Sequence, residues 1–272
     1  MLRTMDAITL NNKTIVILGG TSGLGLSGAL ACLEAGANLV VAGRDDDYLD
    51  EARKQFSDAA VVLCGDAMQP GLAREAVEAA AGRFGALHGL YHVAGGSGRR
   101  MGDGPLHEAS DDGWDYTLQL NLTSMFYSNR AALQQMMKQQ QGGAILNLSS
   151  SLWDSPSPGY FSTHAYATAK AAIVGMVRAT AAYYAPHDIR INALAPGLTE
   201  TPMSTRAFGD KEIMQFAARR QPLQDGRGGR ASDLDAAVVY FLSDASAYVT
   251  GQVLAVDGGW SVCDGELPVN TG

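Results

Sequence analysis

The chain has 272 residues, 46% of them hydrophobic and 18% charged, with a formal net charge of −8. That composition supports one large α/β unit, and the acidic balance excludes nucleic acid or an anionic membrane surface as a principal partner. No apolar run approaches the roughly 18 residues that span a bilayer, Met1 to Lys13 lacks the apolar core of a signal peptide, and Cys32, Cys64 and Cys263 suit free thiols in a reducing cytoplasm.

In chain order, short apolar runs alternate with helical stretches. Strands are predicted at 14–18, 38–42, 60–64, 89–94, 144–149, 190–195 and 252–256. Helices are predicted near 24–35, 46–56, 70–84, 111–141, 166–185 and 232–243. Gly36 follows the first helix as a terminator, and Pro70 suits a first turn. Several strands are almost wholly apolar, as expected where helices cover both faces of a parallel sheet. The alternation predicts one doubly wound, Rossmann-type α/β domain over 1–272 with about seven strands and ligands at their carboxyl ends. From Leu198 to Gly229 no strand is predicted. The spacing of Ile213, Phe216 and Ala217 suggests a short amphipathic helix there, and Gly226-Arg227-Gly228-Gly229 suggests mobility. A long excursion inside a compact domain is usually functional, so 198–229 is read as a substrate lid.

Tyr166 and Lys170 stand four residues apart in Tyr166-Ala167-Thr168-Ala169-Lys170, on one face of a predicted helix. A free phenol has a pKa of roughly 10. A nearby cation favours the phenolate, so Lys170 is expected to lower the pKa of Tyr166. So tuned, the phenol can take a proton from an alcohol or return one to a carbonyl. The first strand runs into Gly19-Gly20-Thr21-Ser22-Gly23-Leu24-Gly25 and a helix. Glycines there let backbone N–H groups approach a pyrophosphate, which a helix N-terminus also favours.

Further motifs are Asn121 in Gln119-Leu120-Asn121-Leu122, the strand end Asn147-Leu148-Ser149-Ser150, the loop Ala195-Pro196-Gly197-Leu198-Thr199-Glu200-Thr201, and Val256-Asp257-Gly258-Gly259 near the end. With these in order beside the GxxxGxG turn and the Tyr166/Lys170 pair, nearly the whole chain resembles the short-chain dehydrogenase/reductase family. The resemblance implies a catalytic group of Asn121, Ser150, Tyr166 and Lys170. Tyr166 would be the acid/base, and Lys170 would tune it and hold the nicotinamide ribose. Ser150 would polarise the substrate oxygen, and Asn121 would anchor a water leading to Lys170. Aligning Asn147-Leu148 selects Ser150 among Ser149, Ser150 and Ser151. The segment on to Tyr166 is longer than usual for the family, so Ser151 stays an alternative. Within that segment, Trp153, Tyr160, Phe161 and His164 line a substrate pocket or simply pack the loop.

The resemblance also implies a dinucleotide site. It comprises Gly19, Thr21, Ser22, Gly23, Leu24 and Gly25, then Asp66 with Ala67 at the adenine, Ala94 and Gly95, and Pro196, Gly197, Thr199 and Thr201 beside Tyr166 and Lys170. An acidic residue ending the second strand would favour NAD. Here Gly43 leaves room and Arg44 offers a fork of donors suited to a 2′-phosphate, so NADP is expected over NAD. Asp45, Asp46 and Asp47 are read as the cap and first turn of the next helix. Two departures from the family pattern are Leu18, where Thr is common, and His92-Val93-Ala94-Gly95, where Asn-Asn-Ala-Gly is common. His92 is read as structural.

The expectation is an NADP-dependent oxidoreductase that interconverts a small secondary alcohol and its ketone. Alternatives on the same scaffold are epimerisation, dehydration, enoyl reduction or a non-catalytic dinucleotide-binding regulator. The resemblance implies a homo-oligomer, a tetramer or dimer, packed through helices 111–141 and 166–185. Arg99, Arg100, Arg206, Arg219 and Arg220 meet an anionic group or lie on a solvated face. No metal is expected, because His88, His92, His107, His164 and His187 form no ligand-like cluster in sequence.

Overall fold

Seven all-parallel strands run in the order β3-β2-β1-β4-β5-β6-β7. They are β1 Thr14–Leu18, β2 Asn38–Gly43, β3 Ala60–Cys64, β4 Gly89–His92, β5 Gly143–Leu148, β6 Ile189–Pro196 and β7 Val253–Val256. The structure, a computed structural model, describes residues 8–56 and 60–266.

Alternate residues of each strand point to opposite faces, and both faces are apolar. Val16, Leu18, Val40 and Ala42 join the layer under α3 Pro70–Phe84, α5 Ser124–Gln139 and α6 His164–Tyr184. Ile15, Ile17, Leu39 and Val41 join the layer under α1 Gly23–Glu34, α2 Asp46–Gln55 and α10 Asp235–Leu242. A fully buried Leu or Ile contributes roughly 1.5–3 kcal/mol. An exposed ion pair such as Arg53–Asp50 contributes only ~0–1 kcal/mol. The two apolar layers therefore hold the sheet.

β1 pairs with β2 on one side and β4 on the other. The chain thus reverses its direction of travel at β1, and a crevice opens beyond the carboxyl ends of β1 and β4. The predicted strand 89–94 stops at His92 because the N–H groups of Val93 and Ala94 both turn to the Leu18 carbonyl, at 2.9 and 2.8 Å. His92 is fully buried, with Nε2 3.1 Å from the Ala94 carbonyl oxygen and Nδ1 2.7 Å from the Ser128 hydroxyl. Burial brings its pKa down to about 3, so the ring is neutral. It fastens β4 to α5, in keeping with a structural role.

The predicted helix 111–141 is interrupted. α4 Asp111–Leu118 passes into a π-helical turn, Gln119–Thr123, before α5. Hydrophobic spacing cannot report such a one-residue insertion, and π-turns often mark functional positions. The final helix begins as a 3₁₀ turn, Ala231–Leu234, before α10. Asp45 accepts from the N–H groups of Asp47 and Tyr48 and caps α2, as expected.

The 198–229 excursion holds a 3₁₀ turn Pro202–Ser204, α7 Thr205–Phe208, α8 Lys211–Arg220 and an irregular turn, α9 Leu223–Gly226. Ile213 and Ala217 are buried on α8. Its glycine-rich end is tethered rather than loose: Thr199 and Gly229 form a parallel bridge, and Arg227 pairs with Asp233 at 2.7 Å. Among the described residues no helix is long and apolar enough to cross a membrane.

Candidate active site

The glycine turn sits at the β1/β4 crevice. Gly19 has φ +86°, and a Cβ there would meet the Ala94 nitrogen at 2.6 Å. A Cβ on Gly25 would collide with the Gly19 carbonyl, so the turn closes only with hydrogen at both positions. The Ser22 side chain makes no capping bond at the start of α1, which leaves the first-turn N–H groups for an outside acceptor. Turn, helix terminus and close backbone approach together fit a dinucleotide pyrophosphate.

Thr21 packs under Gly43, where any side chain would strike its hydroxyl. Arg44 follows, its side chain 63% exposed and its Nη1 3.7 Å from Asp66 Oδ2. Asp66 also accepts from the Met68 N–H at 2.9 Å, which fixes the loop that carries Ala67.

A cavity of about 560 Å³ extends from Arg44 past Leu24 and Gly95 to Ser150, Tyr166 and Trp260. Pro196, Gly197, Thr199 and Thr201 line it from the β6 side. Gly19, Ser22, Gly23 and Gly25 flank Leu24 in the chain but do not line the cavity. Asn121 and Lys170 are buried beneath the wall.

Three consecutive serines end β5, and the structure gives them different tasks. Ser149 is buried and donates to the Lys170 carbonyl at 2.9 Å, tying the strand to α6. Ser151 donates to Asp257 Oδ2 at 3.2 Å and so is held by the C-terminal loop. Ser150 lies against the Tyr166 phenol and lines the cavity with it. The alternative, Ser151, also borders the cavity, but its hydroxyl is engaged by Asp257 rather than by the phenol.

Lys170 is 2% exposed and donates to the Leu148 carbonyl at 2.9 Å, with Nζ 5.4 Å from the centre of the Tyr166 ring. The expected lowering of the tyrosine pKa is not what the fold produces. Burial pushes the Tyr166 phenol up to about 12, opposed only by the Ser150 hydroxyl. The same burial brings the Lys170 ammonium down to about 7. Near neutral pH the lysine charge is itself weakened, and for both groups desolvation outweighs what their neighbours return.

Asn121 lies in the π-turn and is fully buried. Its Oδ1 accepts from the Gly96 N–H at 3.0 Å, and its Nδ2 donates to the carbonyls of Gly96 and Thr117, both at 2.9 Å. It locks the loop after β4 beside Lys170: a Cβ on Gly95 would lie 2.8 Å from Asn121 Oδ1 and 3.5 Å from Lys170 Nζ.

Sequence reasoning missed two supporting residues. Asp103, 4% exposed, accepts from the N–H groups of Ala165 and Tyr166, both at 3.0 Å. It caps α6 from a loop 62 residues upstream, and Thr163 at the N-cap makes no such bond. No local signal marks a cap supplied from so far away. Asp103→Ala should lower unfolding free energy by about 2–4 kcal/mol in urea denaturation, and Asp103→Asn by roughly half that. A loss under about 0.5 kcal/mol would show that the cap is dispensable. Gln221, 3% exposed, accepts from the Leu198 N–H at 3.0 Å and donates to its carbonyl at 3.1 Å, which pins the root of the 198–229 excursion.

Of the aromatic residues expected near the pocket, Phe161 lines it and packs edge-on to Trp260 at 5.7 Å. Tyr160 packs on Phe216, and His164 Nδ1 accepts from the Leu106 N–H. Trp153 does not line the cavity. Among the described residues no group of three His, Cys, Asp or Glu is placed to hold a metal.

The family model described as enoyl-(acyl carrier protein) reductase matches residues 19–261. The chain is 34% identical over 257 residues to 2-(S)-hydroxypropyl-CoM dehydrogenase 3 of Xanthobacter autotrophicus, covering 92% of this chain and 97% of that one. It is 31% identical over 256 residues to a 3-oxoacyl-(acyl-carrier-protein) reductase of Thermotoga maritima, covering 92% and 98%. A short-chain dehydrogenase/reductase structure from Mycobacterium ulcerans superposes with a TM-score of 0.83 at 27% identity, covering 94% of this chain and 92% of that one. With the parallel sheet, the glycine turn and the Tyr166/Lys170 pair in place, and with relatives named as dehydrogenases of alcohol groups, the chain belongs to the short-chain dehydrogenase/reductase family and is an NAD(P)-dependent oxidoreductase.

Proposed function

We propose that this protein uses NADP(H) in preference to NAD(H) to interconvert a secondary alcohol and its ketone, with Tyr166 as acid/base. The observation that carries the reading is the meeting of Ser150 and Tyr166 on one cavity wall, with Lys170 buried behind the tyrosine ring. A nicotinamide cofactor, when bound, supplies or accepts the hydride. Gly19, Thr21, Ser22, Gly23, Leu24 and Gly25 hold its pyrophosphate, Arg44 its 2′-phosphate, and Asp66 and Ala67 its adenine. Ala94 and Gly95, together with Pro196, Gly197, Thr199 and Thr201, flank the nicotinamide half.

The chain's own chemistry is proton handling. The Ser150 hydroxyl orients the substrate oxygen toward the phenol. Tyr166 Oη delivers the proton to the oxygen of a ketone undergoing reduction and takes it from an alcohol undergoing oxidation. Lys170 stabilises the phenolate left after delivery, and Asn121 holds the Gly95–Gly96 loop and anchors a water on the way to Lys170. The raised phenol pKa makes Tyr166 a ready proton donor, which suits reduction near neutral pH.

The 198–229 excursion is the substrate lid in this reading: Met203, Ser204, Thr205, Arg206 and Ala207 line the same cavity. The reading also includes one cytoplasmic domain that assembles as a homo-oligomer, tetramer or dimer. Exposed Phe126 on α5 and Tyr183 on α6 supply apolar surface for that contact.

The test is fluorescence titration with NADPH and NADH, followed by a ketone and aldehyde panel that includes one enoyl thioester. NADPH binding about tenfold or more tighter than NADH, with ketone turnover, supports the reading. Turnover of the enoyl thioester alone would replace it with enoyl reduction, the chemistry named in the matching family model's description.

A further inference from the structure

Two arginines from separate parts of the chain converge at the mouth of the active-site cavity. Arg99 lies in the 3₁₀ turn Arg99–Met101 after β4, and Arg206 lies on α7 within the 198–229 excursion. Both aim Nη2 at one acceptor, the Tyr160 carbonyl, at 3.4 Å from Arg99 and 3.2 Å from Arg206. Both line the cavity, as does Arg100.

One carbonyl oxygen cannot satisfy two guanidinium forks, each of which carries five N–H donors. Among the described residues, neither Arg99 nor Arg206 has a carboxylate within ion-pair distance. Asp103 offsets part of the charge on Arg99, but its oxygens are engaged by the N–H groups of Ala165 and Tyr166 and form an ion pair with neither arginine. Burial and the Arg206 charge both lower the pKa of Arg99, so the two cations repel each other. Such a concentration of positive charge is unusual in a chain of net charge −8.

The Asp66 carboxylate is paired with Arg44 and with neither Arg99 nor Arg206. The floor beneath the arginines is apolar: Phe161 and Trp260 pack edge to face, with Phe216 against Trp260. Chemically this is a cleft with an apolar floor, a reactive Ser150/Tyr166 wall and a cationic rim without an ion-pair partner among the described residues.

We infer that the substrate is a hydroxy or keto compound carrying an oxyanion, a carboxylate or a phosphate, that is bound between Arg99 and Arg206. This inference rests on the alcohol/ketone reading above. The anion accepts charge-assisted hydrogen bonds from both forks. It also joins the turn after β4 to α7, so the charged group that confers specificity also holds the excursion against the cavity.

The test compares pairs with and without the anionic group: levulinate with methyl levulinate, and dihydroxyacetone phosphate with dihydroxyacetone. The expected kcat/KM of at least one charged member exceeds that of its neutral partner by about tenfold or more. Whichever pair shows the larger ratio identifies carboxylate or phosphate as the preferred anion. Arg99→Ala and Arg206→Ala should each lower the charged-to-neutral ratio by roughly 10- to 100-fold, mainly through KM. Arg206→Lys should recover part of that loss. Arginines that merely brace the Tyr160 loop would depress both members alike and leave the ratio unchanged, which overturns the inference. So do neutral partners that match or outperform the charged ones.

If neither member of any pair is turned over, the alcohol/ketone reading fails for these compounds, and binding decides the anion site separately. Quenching of tryptophan fluorescence by levulinate or dihydroxyacetone phosphate, absent for the neutral partners and weakened in Arg206→Ala, would uphold it. Equal responses to charged and neutral partners would overturn it.

Discussion

Tyr166→Phe should reduce kcat by about 10²–10⁴-fold, the range for loss of a positioned general acid/base. The dissociation constant for NADPH should move by less than about twofold, since the loss of a single hydroxyl among many cofactor contacts costs little. The substitution removes one oxygen and keeps the ring, so the packing against Lys170, with Nζ 5.4 Å from the ring centre, is retained. The α6 cap from Asp103 contacts the backbone of residue 166 and is also untouched. A loss of turnover is therefore chemical rather than structural. Stopped-flow turnover and fluorescence titration on one preparation separate the two quantities. Retained turnover would refute Tyr166 as the acid/base. The pH profile adds a second reading. Because burial pushes the phenol up to about 12, Tyr166 is protonated throughout the neutral range. Alcohol oxidation needs the phenolate and so should accelerate as pH rises, whereas ketone reduction, which needs the phenol, should not. In Tyr166→Phe the alkaline rise should vanish.

Arg44→Asp should change the NADPH-to-NADH preference ratio by about 10²–10³-fold, in favour of NADH. Loss of charge-assisted bonds to a phosphate costs ~1.5–3 kcal/mol. A carboxylate in its place repels the phosphate and accepts from a ribose hydroxyl instead. Arg44 is well placed for this test, because its side chain is 63% exposed and its ion pair with Asp66, at 3.7 Å, is long. Such an exposed pair contributes ~0–1 kcal/mol to stability, so the fold should survive its removal. Competitive titration of both cofactors against wild type and variant gives the ratio directly. An unchanged ratio would show that another group reads the 2′ position. Gly43 adds a control of a different kind. A Cβ at this position would strike the Thr21 hydroxyl, so Gly43→Ala would displace the glycine turn itself and weaken both cofactors together.

The sheet was legible in the chain because each strand is a short apolar run between turn residues, and burial on both faces leaves little choice of conformation for Thr14–Leu18 or Asn38–Gly43. The glycine turn and the Tyr166/Lys170 spacing were legible for a similar reason. Both are local geometries, one requiring hydrogen in place of Cβ and the other following from 3.6 residues per turn. The π-turn around Asn121 was not, since one inserted residue leaves the apolar pattern of Asp111 to Gln139 nearly intact.

The sequence by itself thus determined the fold class, the family and the residue types at the crevice, because these depend on periodicity and on short motifs. Only the tertiary structure decided which of three adjacent serines faces the phenol, since Ser149 and Ser151 are taken by partners 21 and 106 residues away. It alone decided that Asp103 caps α6 and that Arg99 meets Arg206. It also reversed the expected pKa shift of Tyr166: spacing places a cation near a phenol, but how much water is excluded from both is a property of everything packed around them.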